Sequence, residues 1–413
     1  MSRKPRIAFW FRYGPAEHTE LFHALPHLLE ALAKEAEVHY FGLRSPHPTP
    51  EAIARCAHVH TLPFTVERRN QQDKLLKTIL WVLCLPWVGL RCRLMGIDAV
   101  YIDETVPLTA GLARLFFGRR VAITVADFFT DIYLNNGWWK RWMARWVRAA
   151  DFAAWRTLPM IFTRAQNTRD FLASHGIDPR RVHPIYDPCD ARLYHPMDRI
   201  SARAHFGYTD EQVVLVHHGI LHPNKGNDRI LRSLARVRQS LPKIRFLLVG
   251  NGSEFDRLKA LTTELQLNDI VTLTGWLPKP EDVNLALNAG DIGLVMRIGQ
   301  QSDDFHMTGA LVHSMAVGLP ILAAQLAGVA EVVKDGEHGY LFPPDQMEQF
   351  EQRLIELAHN PDLRQRMGQA ALLQARACFD MDTVVQRTVK ALLELAQCDS
   401  PAPRGGATTG NHP

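Results

Sequence analysis

Three carboxylates, Asp103, Glu104 and Asp127, each close or follow a short apolar run, and a fourth, Glu331, stands on a loop that begins at Gly328. A carboxylate at such a place either handles a proton or caps the helix that follows, and residue type leaves both roles open. The stretch 303–342, DDFHMTGALVHSMAVGLPILAAQLAGVAEVVKDGEHGYLF, offers a different chemistry. Ser302, Asp303 and Asp304 supply capping oxygens, after which Met307, Ala310, Leu311 and Met315 recur at helical spacing. A helix that starts here turns unbonded backbone N–H groups outward. Thr308 and Gly309 let an anion come close to them, which is the makings of a phosphate site. Gly318 ends the helix, Pro320 opens the buried strand PILAA, and Asp335-Gly336 and His338-Gly339 turn the chain into GYLF.

These residues need a scaffold, and its pattern is regular. RIAFWF (6–11), VHYFGL (38–43), HVHTL (58–62), DAVYID (98–103), VAITVAD (121–127) and MIFTR (160–164) read as strands in the first half. VVLVHHG (213–219), IRFLLVG (244–250), IVTLTG (270–275) and DIGLVMR (291–297) follow in the second. Helical segments alternate with them, which predicts α/β architecture with parallel sheets whose ligands bind at the C-terminal strand ends. A chain of 413 residues exceeds one core and suits two Rossmann-like domains. We expect the first over 1–195 and the second over 196–380, with VHPIYDPCDARLYHP (182–196) as the join. The tail 399–413, rich in Gly, Pro, Ser and Thr, is expected to be disordered.

Composition narrows the setting. Six scattered cysteines without metal or redox spacing indicate a reducing, cytoplasmic compartment and no zinc site. MSRKPRIAFWF reads as a first strand rather than a leader, and the apolar run ILWVLCLPWVGL (79–90) is shorter than the ~20 residues of a membrane span. Residues 1–200 carry 27 Lys and Arg against 19 Asp and Glu, whereas 201–413 carry 20 against 24, so the first half is expected to meet something anionic. Two stretches fit a peripheral membrane contact. One is 74–93; the other, GWWKRWMARWVRAADFAAWR (137–156), puts Trp138, Trp142 and Trp146 on one helical side and Arg141, Arg145 and Arg148 on another. The alternative is a domain helix that buries its tryptophans. The acidic second half and the lack of a recognised binding motif exclude nucleic acid as a partner.

Several motifs together resemble the retaining glycosyltransferases of family 4, which have the two-domain B-type fold with a cleft between the domains. The match is carried by GLP at 318–320, by the glycine-to-glutamate loop ending at Glu331, and by DGEHGYLFPPD at 335–345. It extends more weakly over almost the whole chain. The resemblance implies that Lys225-Gly226, following the strand that ends at Gly219, neutralises a donor diphosphate, whose charge grows as the glycosidic bond breaks. It implies donor contacts at Gly250 in the Gly-x-Gly turn, at Trp276 beside the nucleobase, and at Gly14 in the turn Gly14-Pro15-Ala16-Glu17. It also implies a last helix, 381–398, that crosses back to the first domain.

Four family positions are altered: Ile220, Ala126, Phe305 and His313 replace an arginine, a histidine and the two glutamates of the signature. Arg229 or Arg297 is available for the missing arginine, Asp304 lies next to Phe305, and His313 is able to bond a ribose hydroxyl. The expected function is therefore transfer of a sugar from a nucleotide-diphosphate sugar to a glycan or polyprenyl-linked acceptor. The resemblance implies retention of configuration and no metal or other cofactor. Lys225, Glu331 and Asp127 would carry the chemistry, with Asp103, Glu104 and Asp127 on the acceptor side. The rival reading is a catalytically degenerate homologue that binds a partner or glycan; a third is another B-type enzyme such as an epimerase or phosphorylase.

Overall fold

The computed structural model describes residues 3–65, 71–126, 138–299, 303, 305 and 307–397. Asp127, Asp304, the side chain of Trp138 and the tail 399–413 lie outside the described residues. Two parallel sheets organise the chain.

The first sheet has the order β3-β2-β1-β4-β5-β6-β7. Its strands are β1 (Arg6–Trp10), β2 (Glu37–Arg44), β3 (His58–Thr65), β4 (Ala99–Ile102), β5 (Val121–Val125), β6 (Met160–Thr163) and β7 (Val182–Pro184). The helices among them are α1 (Pro15–Leu21), α2 (Leu25–Ala33), α3 (Glu51–Cys56), α4 (Gln71–Leu94), α5 (Thr109–Phe117), α6 (Trp138–Trp155) and α7 (Gln166–Ser174). The second sheet has the order β10-β9-β8-β11-β12-β13. Its strands are β8 (Val213–His218), β9 (Ile244–Val249), β10 (Val271–Gly275), β11 (Ile292–Val295), β12 (Ile321–Ala324) and β13 (Gly339–Phe342). Around them run α8 (Arg199–Phe206), α9 (Asn227–Val237), α10 (Phe255–Glu264), α11 (Pro280–Asn288), α12 (Gly309–Ala316), α13 (Ala327–Ala330), α14 (Met347–His359), α15 (Pro361–Phe379) and α16 (Met381–Gln397).

The inner strands β4, β5, β11 and β12 are buried throughout, as strands of a parallel sheet covered on both faces are, whereas the edge strand β3 is mostly exposed. In β8, Leu215 enters one core layer with Ile230, Phe246 and Leu294, while Val214 and Val216 enter the other with Leu247, Val249 and Leu287. Alternation along a single strand therefore feeds both layers.

Contacts divide the chain into two compact units. One holds residues 1–124, 132–161 and 387–413, the other 125–131 and 162–386. The division falls inside β6. Within the second unit, Glu331 accepts hydrogen bonds from the backbone N–H groups of Gln166 and Asn167 at the start of α7, at 2.7 and 2.5 Å. Residue 387, within α16, opens the last segment of the first unit.

α4 is longer than the apolar run in its middle. It spans 24 residues with Pro86 inside, and its length and composition pass for a membrane span. Yet Lys77, Trp81, Leu85, Val88 and Cys92, at helical spacing, are buried, so one side of α4 is a domain helix.

Candidate functional site

In the second unit the C-terminal end of β8 gathers the candidate residues. β8 closes on His217 and His218, and Pro223–Lys225 form one 3-10 turn before Gly226 enters α9 in the left-handed region, at φ +60°. That turn is fastened from below, where Ile298 N–H bonds the Asn224 carbonyl at 3.0 Å. Lys225 then lies in a basic neighbourhood. Burial, and next the Arg297 charge, pull its ammonium down to about 7, with Asp303 opposing them.

Arg297 is buried and bonds Asp303 through Nη1 at 2.8 Å, while Asn224 reaches the same carboxylate oxygen at 3.4 Å. Asp303 therefore serves as counter-ion rather than helix cap. The cap expected from 302–304 is supplied by Thr308 instead, its hydroxyl accepting from Leu311 N–H, and the helix starts at Gly309. Gly309 is exposed at this start, where the sequence leads us to expect an anion.

Imidazoles surround the helix start. His217 bonds the Leu294 carbonyl, and burial, with Lys225 nearby, pushes its pKa down to about 3. His218 makes a backbone hydrogen bond at Gly309 and is pushed down to about 4, again first by burial and then by Lys225. Both rings are neutral at physiological pH, and neither Nε2 has a hydrogen-bond partner among the described residues. His313, on α12, is stacked between Tyr194 at 3.6 Å and His218 at 5.1 Å, centroid to centroid. No local signal points to this three-ring stack, because its members come from three separate segments.

Other expected donor residues have structural duties. A Cβ on Gly250 would stand 1.9 Å from the Gly219 carbonyl oxygen, so that glycine permits two backbone turns to touch. Glu331, expected at sugar or diphosphate, spends both oxygens on α7, which has no side-chain cap of its own, and accepts the Tyr186 hydroxyl at 3.2 Å. Arg229 bonds the Pro344 carbonyl, whereas Trp276, after Gly275, is exposed.

In the first unit Asp103 and Glu104 do follow β4, but a dense network holds them. Asp103 meets His18 Nε2 at 3.1 Å and accepts from the Tyr101 hydroxyl at 2.9 Å; His18 Nδ1 faces the Tyr40 hydroxyl at 3.1 Å. Glu104 takes the Arg12 backbone N–H at 2.6 Å and the Arg12 guanidinium at 3.2 Å, and burial raises its pKa to about 7. A fully buried Lys77 donates to Glu17 at 2.5 Å. Gly14 is packed against the end of β2, where a Cβ would meet the Ser45 side chain at 2.6 Å. Of the tryptophans expected at a membrane, Trp142 is exposed, as are Arg141 and Arg145; Arg148 is half-buried.

Against known proteins, residues 198–374 match the family model of the glycosyl transferases group 1. A D-inositol 3-phosphate glycosyltransferase of Kribbella flavida is 26% identical over 235 residues, covering 55% of this chain and 54% of that protein. The chain spans about half the length of the curated inositol-phosphate relatives it matches. A solved structure of Anabaena HepE in complex with UDP aligns with 94% of this chain and 100% of its own, at TM-score 0.71 and 19% identity. Sucrose-phosphate synthase from Thermosynechococcus elongatus aligns with 96% and 100%, at TM-score 0.74 and 17% identity. The fold is thus that of the B-type glycosyltransferases, two parallel-sheet Rossmann-like units.

Proposed function

We propose that this protein is a glycosyltransferase of the hexosyl-transferring class, which moves a sugar from a nucleotide-diphosphate sugar to a glycan or lipid-linked acceptor. The observation that carries this reading is Lys225, a lysine depressed to about 7 beside the open start of α12. A half-buried amine with no carboxylate bonded to it among the described residues is ready to gain a full charge when a diphosphate arrives. The helix start adds backbone N–H donors for the same phosphates. Neutral His217 and His218 add donors or acceptors without competing charge.

Retention of configuration, independence from metal, and action at the cytoplasmic face of a membrane complete the proposal. They follow from the resemblance of the motifs at 225–226, 318–320 and 335–345, and from the exposed Trp142 with Arg141 and Arg145. A thermal-shift screen of nucleoside diphosphates tests the reading first, since ligand at 100 times its Kd adds ~2.7 kcal/mol to stability. Donor hydrolysis or transfer that continues in chelator then completes the test; metal-dependent turnover would remove the metal-free part.

One observation favours a second reading, a catalytically silent binding protein. Phe305 and His313 stand where the family has carboxylates, and Glu331 is engaged by α7. Binding of a nucleotide sugar with neither hydrolysis nor transfer would select it.

A further inference from the structure

β8 ends on two imidazoles, each with one nitrogen engaged and one bare. His217 is 1% exposed, and its Nδ1 lies 2.9 Å from the Leu294 carbonyl oxygen. A carbonyl oxygen only accepts, so Nδ1 carries the ring proton and Nε2 is left as an acceptor. His218 has its backbone partner at Gly309, and that bond favours the protonated ring, as a carbonyl acceptor does. Its Nε2 is the bare acceptor there too. Both Nε2 atoms are buried without a hydrogen-bond partner among the described residues. Burying one unpaired acceptor is costly, and keeping two beside one cation needs a reason.

The cation is Lys225. Burial first, and Lys225 next, push the two rings down to about 3 and about 4, so both stay neutral beside a charged lysine. An ammonium carries three N–H donors, and no carboxylate is bonded to this one among the described residues; Asp303, which acts on it, bonds Arg297. Other occupants of the two nitrogens fit less well. Phosphate oxygens are acceptors, like the nitrogens themselves. A ligand hydroxyl would have to reach atoms that the protein already covers. A metal ion needs more ligands, and no three His, Cys, Asp or Glu side chains among the described residues come together to hold one.

We propose that His217 and His218 are positioning residues that hold the Lys225 ammonium in the ligand-bound state. When a diphosphate arrives, Lys225 takes a proton from solvent; two of its N–H groups then bond the two Nε2 atoms, and the third faces the phosphate. Imidazoles suit this work where carboxylates do not. A carboxylate would keep the lysine charged in the free protein and offset the charge that the phosphate needs. A neutral ring orients an ammonium and leaves its charge intact. The inference rests on the donor-site reading of Lys225 above and adds how that lysine is aimed.

Two substitutions separate aiming from packing. His217→Asn keeps an N–H for the Leu294 carbonyl and has no atom at the Nε2 position. His217→Gln carries an acceptor to that position and gives up the Leu294 bond. In calorimetry of the full chain with uridine diphosphate near pH 7, His217→Asn should bind about tenfold more weakly, and His217→Gln should bind like the parent. The Lys225 pKa in the complex, followed by NMR of the lysine side chain, should fall in His217→Asn alone. The reverse order, with Asn like the parent and Gln weak, would make His217 a packing residue and overturn the proposal. On a Lys225→Met background, His217→Asn should cost nothing further; an added loss there would mean that His217 touches the ligand itself, which also overturns it. The same pair at His218 should give the same order, and it carries the test if circular dichroism shows a His217 variant unfolded. Parent-like binding by Lys225→Met would sink the donor-site reading itself. Weak binding by Lys225→Met with normal binding by His217→Asn and His218→Asn would sink only the positioning role.

Discussion

Two lysines, Lys77 buried and Lys225 half-buried, differ in what surrounds them. Lys77 in the first unit donates to Glu17 at 2.5 Å and lies 4.9 Å from the centroid of the Tyr13 ring. Lys225 in the second has histidines and an arginine around it, and Asp303, the carboxylate that acts on it among the described residues, bonds Arg297. The same contrast holds around them. Near Lys77 each carboxylate has a named donor: His18 and Tyr101 for Asp103, Arg12 for Glu104. Near Lys225, His217 Nε2, His218 Nε2 and Arg297 Nε are buried with no hydrogen-bond partner among the described residues. Around Lys77 the charges pair within the region, Arg12 Nε meeting Glu104 Oε2 at 3.2 Å, whereas Lys225 has no carboxylate bonded to it among the described residues, and the proposed donor site rests on that difference.

The largest test of this contrast is Lys77→Met. It strands Glu17 as a buried charge, so stability should fall by roughly 3–5 kcal/mol in urea titration, the usual cost of breaking one side of a buried pair. Adding Glu17→Gln should restore much of the loss. Lys225→Met should do the opposite and leave the free protein as stable or more so. Here the sign follows from linkage. A lysine lowered to about 7 in the native state is deprotonated there while the unfolded chain, near 10.4, still holds its proton. Native stability therefore rises with pH across that window, and below 7 the half-buried ammonium costs most. A Lys225→Met protein that is less stable than the parent at pH 6 would show that Lys225 is scaffold as well.

Next in size is the ligand effect. Lys225→Met should weaken nucleoside diphosphate binding by about 1.5–3 kcal/mol, tenfold to more than a hundredfold, measured by calorimetry. Lys77→Met, where it is still folded, should leave that affinity unchanged. Equal losses from both would erase the distinction between the two regions.

How much of this was legible beforehand depends on the length scale of the signal. The α/β fold was legible because most strands are contiguous apolar runs; β7, three residues inside the presumed join, and β13, reached only as GYLF after two turns, were not read as strands. Lys225 was legible through its place after a buried strand and before Gly226. Lys77 was not, since a lysine flanking an apolar run looks like the edge of a surface stretch, and its partner is 60 positions away. The Glu331 cap on α7 and the Tyr194–His313–His218 stack were hidden for the same reason: they exist only after distant segments meet. Local spacing misplaced the N-cap of α12, because Asp303 is drawn away to Arg297 by a contact that no capping rule contains.

A smaller effect separates charge from hydrogen bonding at Lys225. Free protein titrates this lysine near 7, and a bound diphosphate should hold its proton, so affinity should fall as pH rises above 7. Binding at pH 8 should then take up a proton, visible as a dependence of the calorimetric heat on the buffer's ionisation enthalpy. The phosphate titrates near pH 6 on its own account, and Lys225→Met retains that component alone, so the difference between the two proteins isolates the lysine.

The smallest expected effect concerns His313, which replaces a family glutamate and stands in the middle of the ring stack. Two physical roles are open to it: the imidazole bonds a ribose hydroxyl, or the ring fixes Tyr194 and His218 by packing. His313→Phe keeps an aromatic ring between its neighbours and removes both nitrogens. If hydrogen bonding is the role, His313→Phe and His313→Ala should each weaken nucleoside diphosphate binding by ~1 kcal/mol, the net worth of a neutral hydrogen bond. His313→Glu should then restore it, because a carboxylate also accepts from a hydroxyl. If packing is the role, His313→Phe should bind like the parent, and His313→Ala alone should lose affinity as the two outer rings lose their partner. Full affinity in all three variants would place the ribose away from α12 and leave the phosphates as the only anchor on that helix.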